Sequence, residues 1–162
     1  SSLITEKIEK CHYEFFKKQF PNKTEKELKK VEKILTVLFE KTQNISKEIM
    51  KNGFTPDYSN INYKEWLKFI SKIIPVIESF KIKSGKEKLD ILLMYCVLLV
   101  IIILPLHNKI KQIIIDIILE VVPEIVNSVI YVSKKLHSGL RYIIKKLLKR
   151  LKYCCVINKE IE

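Results

Sequence analysis

Six cations, Arg141, Lys145, Lys146, Lys149, Arg150 and Lys152, fall opposite an apolar series when residues 139–153 are placed on a helix. That series includes Leu147 and Leu148, with Leu140, Ile143, Ile144 and Leu151 on the same face. This pattern suits contact with an anionic membrane. Apolar side chains enter the acyl boundary while cations meet headgroups. Each such cation contributes about 1 kcal/mol near an anionic surface. Cys154 and Cys155 follow directly and are candidate acylation sites, whose lipid chains would add the second signal that stable anchoring needs. Two other readings stay open: an ordinary bundle helix with a solvated lysine face, and nonspecific phosphate contact with nucleic acid. Base readout favours arginine, and the chain has 2 Arg against 28 Lys.

Other reactive residues are scattered. His12, His107 and His137 stand apart. Cys11 and His12 are neighbours, but on a helix they point about 100° apart, so they do not make a nucleophile–base pair. Asp116, Glu120 and Glu124 form an acidic stripe with Gln112 and Asn127. A carboxylate metal site of the bundle type would want Glu-x-x-His, and no histidine follows any of these acids at that spacing. The stripe reads as a solvated face or as a salt-bridge partner for the basic segment. No Gly-rich phosphate loop, G-x-S-x-G or H-E-x-x-H occurs. The expectation is a protein that is not an enzyme, with no catalytic residue, no cofactor, no metal site and no small-molecule substrate.

Charge is uneven along the 162 residues. Of the net +12, residues 1–90 carry +6, residues 91–132 carry −1 and residues 133–162 carry +7. A basic end after a neutral middle implies an anionic partner for that end. Alanine is absent, and lysine, isoleucine and asparagine are abundant, as AT-rich coding produces. Four cysteines without metal-ligand spacing point to a reducing compartment. Ser1–Lys10 is too polar for a secretory signal, so secretion is not expected.

Helical periodicity dominates. Residues 3–20 predict a short amphipathic helix. Thr24-x-x-Glu27 reads as a capping box. Behind it Leu28, Val31, Leu35, Leu38, Thr42, Ile45 and Ile49 make a heptad seam, suited to an intramolecular bundle or to a coiled coil with another chain. The expected protein-contact residues are therefore Leu28, Val31, Leu35, Leu38, Ile45 and Ile49. Residues 53–62 read as a loop and a domain boundary. Asn62-x-x-Glu65 resembles a second cap. The helix after it should kink or break at Pro75, and a later one should bend at Pro123.

Ile91–Leu106 is an uncharged run of sixteen residues, about 24 Å as a helix against a hydrocarbon core of about 30 Å. With the apolar helix after the short link 107–109, it predicts an antiparallel hairpin. That hairpin is either the buried core of the bundle or a membrane insertion. The acidic stripe on the second leg counts against a full second span. The expected fold is all-α: a helical bundle with a central apolar hairpin and a C-terminal basic amphipathic helix. Its parts would be 1–52, the loop 53–62, the hairpin region 63–155 and a tail 156–162.

Ile74-Pro75-Val76, Ser84-Gly85-Lys86-Glu87-Lys88, the apolar helix, Val122-Pro123-Glu124-Ile125-Val126 running to Ser133-Lys134, and the closing Cys154-Cys155 resemble small helical proteins encoded by nucleocytoplasmic large DNA viruses. The resemblance covers residues 63–155. It implies a structural protein of the virion, capsid- or inner-membrane-associated, with other chains of an assembly as partners. The alternative is a soluble protein-binding bundle, Bcl-2-like or otherwise, although the Asn-Trp-Gly-Arg-type signature of that family is missing.

Overall fold

A computed structural model describes the backbone of residues 13–82 and 84–153, and the side chains of 16–82 and 84–130. The described residues form five helices and no strand: α1 (Tyr13–Gln19), α2 (Glu25–Asn52), α3 (Tyr63–Glu78), α4 (Gly85–Ile103) and α5 (Asn108–Tyr153). The all-α bundle expected from periodicity is the observed architecture.

Local chemistry sets the helix starts. Thr24 Oγ1 accepts from Glu27 N at 3.2 Å, and Thr24 N donates to Glu27 Oε2 at 3.2 Å, completing the capping box. Ser84 Oγ accepts from Glu87 N at 3.2 Å and opens α4. Asn62 occupies the N-cap position of α3, but its side chain makes no capping bond. Its backbone N–H instead donates to Gly53 O at 2.7 Å, closing the loop.

Neither proline interrupts its helix, so the break allowed for at Pro75 does not occur. α3 runs through Pro75 without a break, and α5 continues through Pro123. Pro75 and Ser71, the residue whose carbonyl loses its partner, are both exposed, so water can satisfy the freed oxygen. The kink lies in α2, at Thr42, where φ is −128° and ψ is 23°.

Packing joins what the sequence seemed to divide. α2 lies against α3 and α4, and α3 lies against α4. The loop 53–62 lies inside the first of two compact units. The chain divides later, into one unit ending at Ile125 and another beginning at Val126. The loop is tied down by the start of α3: Trp66 Nε1 donates to Gly53 O at 2.8 Å, and Phe54 meets the Trp66 ring at 5.9 Å. Gly53 is required by close approach. A Cβ there would run into Ile49 O and lie 2.9 Å from Trp66 Nε1.

α4 explains the core. Every residue from Ile91 to Val100 is buried, on all sides of the helix, as a helix apolar all round must be. The uncharged part of α4 ends at Ile103, giving about 20 Å of helix against the ~30 Å that a bilayer requires. Among the described residues, no helix is long and apolar enough to cross a membrane. The apolar run is the centre of the first unit. Within that unit α5 buries Ile114, Ile115, Ile118, Val122 and Ile125. The link between the two helices is Leu104–His107, a little earlier than the sequence suggested. Lys111 Nζ donates to Ile101 O at 3.0 Å across it. Lys23–Asp90 at 3.1 Å and Lys88–Glu78 at 2.6 Å fasten the start of α4 to its neighbours, each contributing at most about 1 kcal/mol on a partly wet surface.

Candidate functional site

The core contains one polar cluster. Tyr95 of α4 is fully buried, and its phenol lies 2.8 Å from Thr42 Oγ1 and 2.7 Å from Ser46 Oγ, one turn apart on α2. Proton counting fixes the direction of these bonds. Leu38 O can only accept, so Thr42 donates to it, at 2.6 Å. Thr42 has then used its proton, and Tyr95 must donate to Thr42. Tyr95 has then used its own, so Ser46 donates to Tyr95 at 2.7 Å, and the longer Thr42–Ser46 contact of 3.4 Å is the one left without a proton. The result is a directed chain, Ser46 to Tyr95 to Thr42 to Leu38 O, in which every hydroxyl proton has an acceptor. It ends at the kink in α2, where Thr42 departs from helical backbone angles. Burial pushes the Tyr95 phenol up to about 12, against a smaller lowering by its bonds with Ser46 and Thr42. Burial also pushes the Cys96 thiol upward. At neutral pH both groups stay protonated, so neither is a nucleophile. The cluster organises the core.

The second distinctive surface is the outer side of α5. Ile113 is 55% exposed and Ile110 39%, with Ile117 and Val121 partly covered. Asp116 and Glu120 are exposed along one edge of this stripe, and Gln112 Nε2 donates to Asp116 Oδ1 at 2.9 Å. This part of α5 thus carries two apolar faces, one buried in the bundle and one open.

A third feature is a shallow groove between α2 and α3. Ile45, Ile49 and Phe69 form part of its lining, with Glu48, Glu65, Lys68 and Lys72 beside them.

The heptad seam turns inward. Leu28, Leu35, Leu38 and Ile49 are buried, and α2 packs on α3 and α4 of its own chain. Val31 and Ile45 are only half-buried. An α-helix repeats every 3.6 residues, so its core face drifts about 20° per heptad from a strict seam, and the kink at Thr42 interrupts the seam just before Ile45. Accordingly Ser46 and Met50 are buried near the end of α2 where the seam marks Ile45. Of the two readings of the seam, the coiled coil with another chain is the one its buried members do not serve.

The expected anion-contact residues Arg141, Lys145, Lys146, Leu147, Leu148, Lys149, Arg150 and Lys152 lie on α5, whose backbone is helical there; their side chains lie outside the described residues. Cys154 and Cys155 lie outside them altogether, as do Cys11 and His12. His107 is exposed at the start of α5, where its Nδ1 faces Lys109 N at 3.4 Å. Among the described residues no His, Cys, Asp and Glu group gathers in a way that could hold a metal ion. The Thr42–Ser46–Tyr95 chain was missed by sequence reasoning. Its signal was a threonine inside an apolar seam and one tyrosine inside an uncharged run. No protein-family model, curated protein or solved structure matches this chain.

Proposed function

We propose that the protein is a non-catalytic helical scaffold that presents a basic amphipathic helix to an anionic lipid surface. The observation that carries this reading is the division of labour along the chain. Ile91–Val100 of the apolar run is buried in the first unit, and among the described residues no helix is long and apolar enough to cross a membrane. The most basic stretch, +7 over residues 133–162, falls in the separate unit that begins at Val126. Within it residues 139–153 have the apolar and cationic spacing of a helix lying in an interface, on backbone that is helical. Six cations at about 1 kcal/mol each would give strong, salt-sensitive attachment.

Flotation of the full chain with anionic vesicles tests the reading. The protein should float with phosphatidylserine-containing vesicles at low salt and remain behind with neutral ones. Leu147→Glu combined with Leu148→Glu should abolish flotation. A protein that stays in the dense fraction with anionic vesicles would remove the basic helix from the account. A second reading, a bundle that works by binding another protein, is favoured by the enclosure of α4, and it predicts cooperative melting without detergent whether or not vesicles bind.

A further inference from the structure

We infer that the open stripe of α5 around Ile113 is a docking surface, and that its occupant is the cationic stretch 140–151 of a second copy of this chain. The first observation is exposure. Ile113 is 55% exposed and Ile110 39%, on a helix whose other apolar face already fills the core. The second is charge. Asp116 and Glu120 edge the stripe and are exposed. Carboxylates beside an apolar stripe disfavour an anionic membrane or nucleic acid as occupant. They favour an apolar helix face edged by cations.

The chain's sequence contains such a partner. The steps from Ile110 to Ile113 to Ile117 are repeated from Leu140 to Ile143 to Leu147. At the positions where the first stretch has Asp116 and Glu120, the second has Lys146 and Arg150. The two stretches share apolar spacing and invert the flanking charge, as two helices laid side by side require. Stripe and stretch are different surfaces of one chain, so two copies can exchange the contact reciprocally as a closed two-fold pair. Copies that make only one such contact at a time add head to tail, into an open series or a closed ring. The proposal does not rest on lipid binding, and its test contains no lipid.

Sedimentation velocity of the full chain, from about 1 to 100 µM at low salt, should show average mass rising with concentration above the 19.2 kDa of one chain. Ile113→Glu should weaken association about tenfold or more while leaving helicity unchanged, because that side chain lies outside the core. Ile113→Ser serves as the milder variant if the first alters the circular dichroism. Asp116→Lys with Glu120→Lys should weaken association comparably, and adding Lys146→Glu with Arg150→Glu should restore it. Carbodiimide coupling of a mixture of heavy- and light-isotope protein should join Asp116 or Glu120 of one label to Lys146 of the other. A single-chain mass at every concentration, failure of the charge swap to restore association, or couplings confined within one label would each overturn the inference.

Discussion

Replacing Tyr95 by phenylalanine removes one oxygen from the middle of the core, and the directed hydroxyl chain says what that should cost. Ser46 then keeps a buried O–H whose close acceptor has gone, leaving only Thr42 Oγ1 at 3.4 Å, and Thr42 loses the proton it accepts while still donating to Leu38 O. An orphaned buried donor costs roughly 1–3 kcal/mol. The ring itself is retained, so no large cavity adds to this. The expected loss is about 2 kcal/mol, read as a lower urea midpoint with an unchanged slope, or roughly 6 °C in Tm. Deleting the other hydroxyls as well should recover part of the loss, because Thr42→Val with Ser46→Ala leaves no orphan behind. The pH dependence gives an independent reading. The phenol is raised from 10.0 to about 12 in the folded chain, so the folded state holds this proton more tightly than the unfolded state does. The stabilisation is complete below pH 10 and declines between pH 10 and 12, at about 1.4 kcal/mol per pH unit. Urea titrations of the wild type and Tyr95→Phe across that window should converge as the pH rises. A variant within about 0.5 kcal/mol of wild type at pH 7, or strictly additive losses in the triple variant, would refute the directed chain.

Gly53→Ala should destabilise the bundle by roughly 1–3 kcal/mol in the same urea assay, since its Cβ would meet both Ile49 and the Trp66 indole; fluorescence of Trp66, the sole tryptophan, should shift with it. Cys96 should resist thiol reagents at pH 8 in a chain carrying Cys11→Ser, Cys154→Ser and Cys155→Ser, and should react only at the rate of unfolding; rapid labelling of the folded chain would contradict its burial.

Short-range signals carried much of the fold. The capping box at Thr24, the stop at Gly53 and the helical spacing of apolar residues depend on neighbours within one turn, and they place α2, α3 and α4 from sequence. Terms set by distant partners were harder to read. Pro75 predicts a kink or break, but α3 continues through it with the freed carbonyl on the wet side of the helix, which depends on where α2 and α4 lie. Thr42, where α2 is kinked, pairs with Tyr95, far along the chain on another helix. The enclosure of Ile91–Val100 could not be decided from length alone, because sixteen apolar residues suit either a core or a short membrane segment. At the candidate surfaces, the acidic stripe was legible as spacing, but the exposure of Ile113 beside it was not. Its pattern matches that of Ile114, which is buried.

The enclosure of α4 also has a consequence in time. Protein synthesis delivers the chain from its N-terminus, at about 5–20 residues per second. α2 and α3 are complete before α4 emerges, and can offer it only part of a wall. The isoleucines that α5 buries in the same unit, as far as Ile125, are still being made. For about one to five seconds the nascent chain therefore holds out a sticky helix with one side unfinished. In that interval the hazard is capture by another nascent chain, and the remedy is a chaperone or prompt completion of α5.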